Sequence, residues 1–309
     1  MRVLISGATG FVGLHLIDFL DSSKYIIYGT SFPEHPSSSE KNIFFLDIRN
    51  EEEVFKAVEK TKPRWIFHFA AVSNVGHSWK MRKETLETNV MGTFFFFEAV
   101  RRFSPKSRIL FISSSDIYGN VASGAKALKE ENSFRIVSPY AFSKVSGELL
   151  SKFYNQIENL DIVIARPFPH TGPGQSPDFV CSDWARQIVQ IEKGTTEPVI
   201  KVGNIKAKRD FSDVRDVVRA YFLLMKKGRK GGVYNVCSGK AVSLQEILEI
   251  LLSFSSKEIS VQVDTKKFRK ADIALLAGSN QNLMEDTSWK PEIPLEKTLS
   301  DLLEYWRNK

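Results

Sequence analysis

Six short apolar runs recur along the first half of the chain: residues 2–6 (RVLIS), 25–29 (YIIYG), 43–47 (IFFLD), 64–71 (RWIFHFAA), 108–114 (RILFISS) and 161–166 (DIVIAR). Between them, residues 11–20, 51–60, 84–102 and 139–156 space their apolar side chains at helical intervals. Strands that are apolar without alternation are buried on both faces, and their regular exchange with amphipathic helices predicts an α/β fold: a Rossmann-type, doubly wound parallel sheet. After Arg166 the rhythm breaks in PFPHTGPGQSPD, a Pro/Gly/Ser-rich stretch that predicts a crossing into a second, smaller and mostly helical unit. Residues 216–227 and 231–239 read as a further helix and strand of the sheet unit. Residues 243–255 and 295–307 read as helices of the second. The expected division is 1–166 with about 209–238 for the dinucleotide side, and about 167–208 with 239–309 for the nucleotide-sugar side.

The first strand runs into Gly7-Ala8-Thr9-Gly10-Phe11-Val12-Gly13, three glycines at GxxGxxG spacing that open a helix. Gly7 permits a tight turn, Gly10 a close backbone approach to a pyrophosphate, and Gly13 close packing of helix on strand. The free amides of the helix start then hold the phosphates, which makes residues 7 and 9–13 the expected cofactor cradle. The second strand ends in Thr30 and Ser31, with neither the carboxylate of a strict NAD site nor an arginine for NADP. Both NADP(H) and NAD(H) fit these hydroxyls, which favour the 2′-phosphate slightly. Asp47, at the end of the third apolar run, is expected either to contact adenine or to cap a turn, with Ile48 beside it.

Ser138-Pro139-Tyr140-Ala141-Phe142-Ser143-Lys144 opens another helix, and i, i+4 spacing puts Tyr140 and Lys144 on one face. An ammonium and an oxidised nicotinamide near a phenol favour phenolate, so Tyr140 is expected to work as an acid-base at neutral pH. A second YxxxK, Tyr305 to Lys309, lies at the C-terminus outside any such context. In Ser113-Ser114-Ser115-Asp116-Ile117-Tyr118-Gly119, which follows the fifth apolar run, Asp116 reads equally as a catalytic acid-base or as a turn former.

These motifs, together with HFAA at 68–71 and TNVMGT at 88–93, resemble the extended short-chain dehydrogenase/reductases of the NAD-dependent epimerase/dehydratase family over nearly the whole chain. The resemblance implies an NAD(P)-dependent oxidoreductase in which Ser114, Tyr140 and Lys144 form the catalytic set, with Ala70, Ala71 and Asn89 beside the cofactor. The segments 168–180, 200–216, 268–283 and 289–299 are similar to the GDP-sugar branch, with spacing most like GDP-4-keto-6-deoxymannose reductases. That implies a GDP-sugar held by Ser73, Ser115, His170, Val180 and Lys201, with Arg209 and Arg269 clamping the diphosphate, and a dimer formed through residues near 82–103 and 140–157. A dehydratase of the branch carries a glutamate where this chain has Asp116. The branch also carries an asparagine where this chain has Pro169, which offers neither an amide side chain nor an N–H.

Composition narrows the rest. A formal charge of +7 is spread along the chain with no aromatic-basic motif, so no nucleic-acid partner is expected. Met1 leads directly into an apolar strand and no apolar stretch is long enough to span a bilayer, so the expectation is a cytoplasmic protein without a membrane partner. The cysteines, Cys181 and Cys237, lack metal-ligand or disulfide spacing and read as small buried side chains, and no metal is expected.

Overall fold

A computed structural model describes residues 1–31, 42–120, 127–265 and 274–309. In chain order the elements are β1 (Arg2–Ser6), α1 (Phe11–Phe19), β2 (Ile26–Ser31), β3 (Ile43–Phe45), α2 (Glu51–Thr61), β4 (Trp65–His68), α3 (Val75–Lys80) and α4 (Arg82–Leu86). A π-helical turn at Glu87–Met91 leads into α5 (Gly92–Phe103), β5 (Arg108–Ile112), a 3₁₀ turn at Ser115–Tyr118, α6 (Pro139–Gln156) and β6 (Asp161–Pro167). Then come β7 (His170–Thr171), α7 (Val180–Glu192), β8 (Val199–Val202), β9 (Lys208–Asp210), β10 (Ser212–Asp213), α8 (Val214–Lys227) and β11 (Val233–Val236). The chain ends with β12 (Ala241–Ser243), α9 (Leu244–Ser253), β13 (Ser260–Val263), β14 (Leu275–Leu276), α10 (Gln281–Thr287) and α11 (Leu295–Arg307).

Seven strands form the expected parallel sheet in the order β11-β6-β5-β4-β1-β2-β3. The order reverses at β1, and there the carboxyl ends of β1 and β4 open a crevice for a ligand. Val3, Ile5, Phe67 and Leu110 pack with α1 and α8 on one face, while Leu4, Ile66, Ile109 and Ile162 pack with α2, α5 and α6 on the other. Two-faced burial is why these strands lack alternation. A separate core of α7, α9, α11 and β8, built on Trp184, Ile188, Leu248 and Leu302, forms the smaller unit. Helix α10 departs from the expected grouping: Leu283 and the nearby Trp289 join the core that contains α8 and β11.

Three local expectations change. The third strand stops at Phe45, two residues before Asp47. The fourth stops at His68, leaving Ala70 and Ala71 in the turn beyond it. Residues 84–102 are not one regular helix, because the i→i+5 turn at 87–91 interrupts them. That turn presents Asn89 so that its side chain accepts from the Val72 amide at 2.8 Å and donates to the Val72 carbonyl at 3.0 Å. One side chain thereby satisfies both backbone polar groups of a loop residue that no strand pairs.

Candidate active site

Gly7 adopts φ +71°, a left-handed conformation that glycine enters without penalty. A Cβ on Gly13 would lie 2.5 Å from the Ala8 carbonyl and 2.6 Å from that of Gly7, so only glycine lets α1 start this close to β1. The N-cap of α1 is Gly10, with no side-chain cap and no acidic residue in the first turn. Amide donors at Phe11, Val12 and Gly13 are thus uncapped by any side chain, and the cradle fits a dinucleotide's phosphates.

Thr30 plays a different part from the expected one. It is buried, its hydroxyl accepts from the Gly7 amide at 3.2 Å and its carbonyl from the Ala8 amide at 2.8 Å, so it holds the turn in shape. Ser31 is buried too, and its carbonyl accepts from the Leu46 amide at 3.0 Å. The Asp47 carboxylate pairs with Arg49 at 2.6 Å and accepts from the Arg49 amide at 3.0 Å. It therefore caps the turn into α2, and the guanidinium holds its carboxyl below the usual range. Ile48 is buried against Gly92 and belongs to the core.

Behind Ala70 lies a relay that the motifs did not reveal. The Ala70 amide donates to Ser6 Oγ at 3.1 Å, and Ser6 Oγ meets His68 Nδ1 at 2.8 Å. His68 Nε2 meets Thr93 Oγ1 at 3.0 Å, and that hydroxyl donates to the Asn89 carbonyl at 2.8 Å. Because Thr93 spends its proton on Asn89, it must accept from His68, so the imidazole carries its proton on Nε2 and accepts on Nδ1. Burial and the nearby Lys144 push its pKa down to about 3, which keeps the ring neutral. Asn89 also donates to Ser143 Oγ at 2.9 Å, and Ser143 donates to the Tyr140 carbonyl at 2.7 Å. The turns after β1 and β4 and the start of α6 are therefore one hydrogen-bonded unit.

Helix α6 begins with Ser138, whose hydroxyl accepts from the Ala141 amide at 3.0 Å, and with Pro139 in the first turn. This start places Tyr140 and Lys144, both buried, beside the carboxyl end of β5. Lys144 Nζ donates to the Ile112 carbonyl at 2.9 Å and lies 5.7 Å from the centre of the Tyr140 ring. Ser114 lies close enough to Tyr140 to favour its ionised form, so the three residues expected to act together are brought together. Asp116 joins them: its carboxylate accepts from Ser114 Oγ at 3.2 Å and its amide donates to the same oxygen at 3.1 Å. It is both turn former and active-site neighbour.

Around Tyr140 the protein's own groups act against the phenolate. Burial, then the Asp116 charge, push the phenol pKa well above its ordinary value, with the Ser114 bond opposing them. The protein's own groups therefore hold Tyr140 as the neutral acid, the form a proton donor requires. Burial pulls Lys144 down to about 8. The ammonium is present below that pH and is lost as pH rises through it. We expect kcat/KM for the cofactor to fall above about pH 8, and Lys144→Met to remove that limb; an unchanged limb in the variant would assign it to another group.

The residues expected on the substrate side are less concentrated. Ser73 is exposed just before α3, and Ser115 is buried at the start of the 3₁₀ turn. Val180 starts α7 and packs against its core, and Lys201 is exposed on β8. Arg209 sits on β9, between Val242 of β12 and Leu276 of β14. Arg269 lies outside the described residues. His170 faces the cofactor turn, its ring stacked on Phe11 with centroids 6.1 Å apart and planes 7° from parallel. Pro169, at the position of the expected asparagine, uses its carbonyl to accept from the Ser212 amide at 3.0 Å.

A family model described as GDP-mannose 4,6 dehydratase matches residues 4–302. The chain is 32% identical over 308 residues to GDP-6-deoxy-D-mannose reductase of Pseudomonas aeruginosa, covering 100% of this chain and 98% of that protein. It is 24% identical to a Drosophila melanogaster GDP-mannose 4,6 dehydratase, covering 97% and 84% of the two chains. The solved structure of RMD from Pseudomonas aeruginosa, complexed with NADPH, superposes with a TM-score of 0.88 at 32% identity over 99% of each chain. UDP-glucose 4-epimerase of Thermus thermophilus, complexed with NAD, superposes equally well, with a TM-score of 0.88 at 26% identity over 99% of each chain. With a family match across nearly its whole length, and a glycine cradle and Ser-Tyr-Lys cluster at the sheet's switch point, the chain belongs to the GDP-mannose 4,6 dehydratase family.

Proposed function

We propose that this protein reduces the C4 keto group of a GDP-4-keto-6-deoxyhexose, of the type GDP-4-dehydro-6-deoxy-D-mannose to GDP-rhamnose, with NADPH or NADH. The observation that carries the reading is the gathering of Ser114, Tyr140 and Lys144 at the carboxyl end of β5, in a chain similar over its full length to a GDP-6-deoxy-D-mannose reductase. When bound, the reduced nicotinamide supplies the hydride. Ser114 turns its proton from Asp116 to the carbonyl and polarises it, Tyr140 delivers its proton to the oxygen that was the carbonyl, and Lys144 holds the ribose. Gly7, Gly10 and Gly13 with the start of α1 hold the pyrophosphate. The NADPH form is favoured by the full-length likeness to RMD complexed with NADPH and by a second strand that ends without a carboxylate. Arg209 and Arg269 serve the nucleotide diphosphate, a task that suits bidentate guanidinium.

The test is to add GDP-4-keto-6-deoxymannose and either reduced cofactor to purified protein. Loss of the cofactor's absorbance supports the reading, and no loss with either cofactor overturns it. Dehydration of GDP-mannose is the second reading, favoured by a carboxylate, Asp116, beside Ser114 at the position of the dehydratase acid-base. Aspartate is one methylene shorter than glutamate, a serious loss of reach for proton transfer at C5. Formation of a 4-keto-6-deoxy product from GDP-mannose, without net cofactor consumption, would establish that reading.

We further propose a homodimer built on α6. Phe142, Leu149 and Phe153 form one stripe of the helix and are 48%, 56% and 48% exposed, an apolar face that solvent does not favour. Phe153→Glu is expected to convert a dimer to a monomer in light scattering. Wild-type protein that is monomeric at micromolar concentration would refute the assignment.

A further inference from the structure

Glu130 lies outside every motif of the family reading, yet it joins three parts of the molecule. One carboxylate oxygen accepts from the Asn235 amide on β11 at 2.7 Å, and the other from Asn282 Nδ2 on α10 at 2.9 Å. Its main-chain carbonyl accepts from Arg166 Nη1 at 2.8 Å. That guanidinium also donates to the Tyr118 hydroxyl at 2.8 Å and grips Glu148 with bonds of 2.8 and 2.7 Å. Tyr118 closes the turn that contains Ser114, and Glu148 lies one helical turn beyond Lys144 on α6.

On its other side, the segment holding Glu130 is stitched to the chain that follows β14. The Leu128 amide donates to the Ala277 carbonyl at 2.8 Å, and the Ser279 amide donates to the Leu128 carbonyl at 2.8 Å. Strand β14 in turn pairs with β9, where Leu276 stands opposite Arg209. A continuous set of bonds thus runs from the strand carrying a diphosphate-binding arginine to the turn and helix that carry Ser114 and Tyr140. Glu130 follows Leu128 by two residues and anchors this segment: its side chain holds it to β11 and α10, and its backbone carbonyl holds Arg166.

We propose that Glu130 is a positioning residue that locks the nucleotide-binding strand to the catalytic turn, so that a nucleotide sugar gripped at Arg209 is presented at the correct distance from Tyr140. The inference rests on the reading of Arg209 given above. Removing the carboxylate loosens the hold of β11 and α10 on the segment that Leu128 stitches to the chain after β14, without touching a reacting atom. Glutamine keeps the bond from Asn235, and its amide nitrogen is accommodated by turning the Asn282 amide so that its oxygen accepts.

The experiment measures GDP binding by calorimetry and steady-state kinetics with GDP-4-keto-6-deoxymannose. Glu130→Ala is expected to weaken GDP binding and raise KM for the sugar nucleotide by about tenfold, the loss of a charge-assisted bond's worth of positioning, with KM for NADPH unchanged. Glu130→Gln should restore most of the loss, and Asn282→Ala, which leaves the glutamate in place, should reproduce the direction of the effect. Wild-type protein that fails to bind GDP sinks the underlying reading of Arg209. Wild-type protein that binds GDP while both Glu130→Ala and Asn282→Ala bind it equally well sinks the positioning role. So does a Glu130→Gln variant as impaired as Glu130→Ala. If Glu130→Ala does not fold, Asn282→Ala and Glu130→Gln decide the matter by the same criteria.

Discussion

Tyr140→Phe is expected to lower kcat for reduction of the 4-keto sugar by roughly 10²–10⁴-fold, the usual worth of a positioned general acid. The phenyl ring keeps the packing of a buried side chain, and the pyrophosphate cradle lies on separate elements, so Kd for NADPH should stay near the wild-type value. A loss of about tenfold or less, near 1.4 kcal/mol of barrier, would mean that water or Ser114 supplies the proton and that the assignment of Tyr140 is wrong. Because the protein's own groups raise the phenol pKa, the wild-type enzyme should show no rate loss near neutral pH from ionisation of this group.

Glu148→Leu is expected to cost about 3–5 kcal/mol of folding stability, because it strands a buried guanidinium. Glu148 and Arg166 are 0% and 2% exposed and pair at 2.7 Å, and Ser113 donates to the same carboxylate at 2.5 Å. A buried ion pair need not stabilise relative to apolar side chains, whereas half of one is always costly. The double variant Glu148→Leu with Arg166→Met should therefore be more stable than the sum of the two single losses predicts. Denaturant melts of the four proteins measure this coupling, and strictly additive losses would show that the pair does not act as a unit.

The legible parts of this molecule were those encoded at short range. The strands are apolar runs, the cradle is three glycines within seven residues, and Tyr140 and Lys144 are one helical turn apart. Each motif carries its geometry within itself. What escaped depends on residues distant in sequence and close in space. His68 works through Ser6 and Thr93, 62 and 25 residues away, and Glu130 reaches Asn235 and Asn282, 105 and 152 residues away. No periodicity announces such pairs.

The protein's own contribution to the Tyr140 pKa was not legible for a related reason. The spacing to Lys144 is local, but the burial that raises the phenol pKa is a property of the folded whole. Thr30 was placed correctly near the end of its strand and Asp47 lies two residues beyond the end of its own, yet both side chains are engaged by the protein itself, one by the Gly7 amide and one by Arg49. A strand end gives position without giving the direction of the side chain.

The π-helical turn at 87–91 has a consequence for how the chain tolerates length changes. A π turn is an α-helix with one residue too many, so deleting a single residue there would let the backbone close into ordinary i→i+4 bonds. Everything on the N-terminal side would then rotate by about 100° relative to α5. Asn89 would swing away from the Val72 peptide and the Ser143 hydroxyl, disconnecting the loop beside Ala70 from the helix of Tyr140. The surplus residue is thus a phase insert: it sets the angular offset between two helical stretches, and a shortened sequence with better helix geometry would be a worse enzyme.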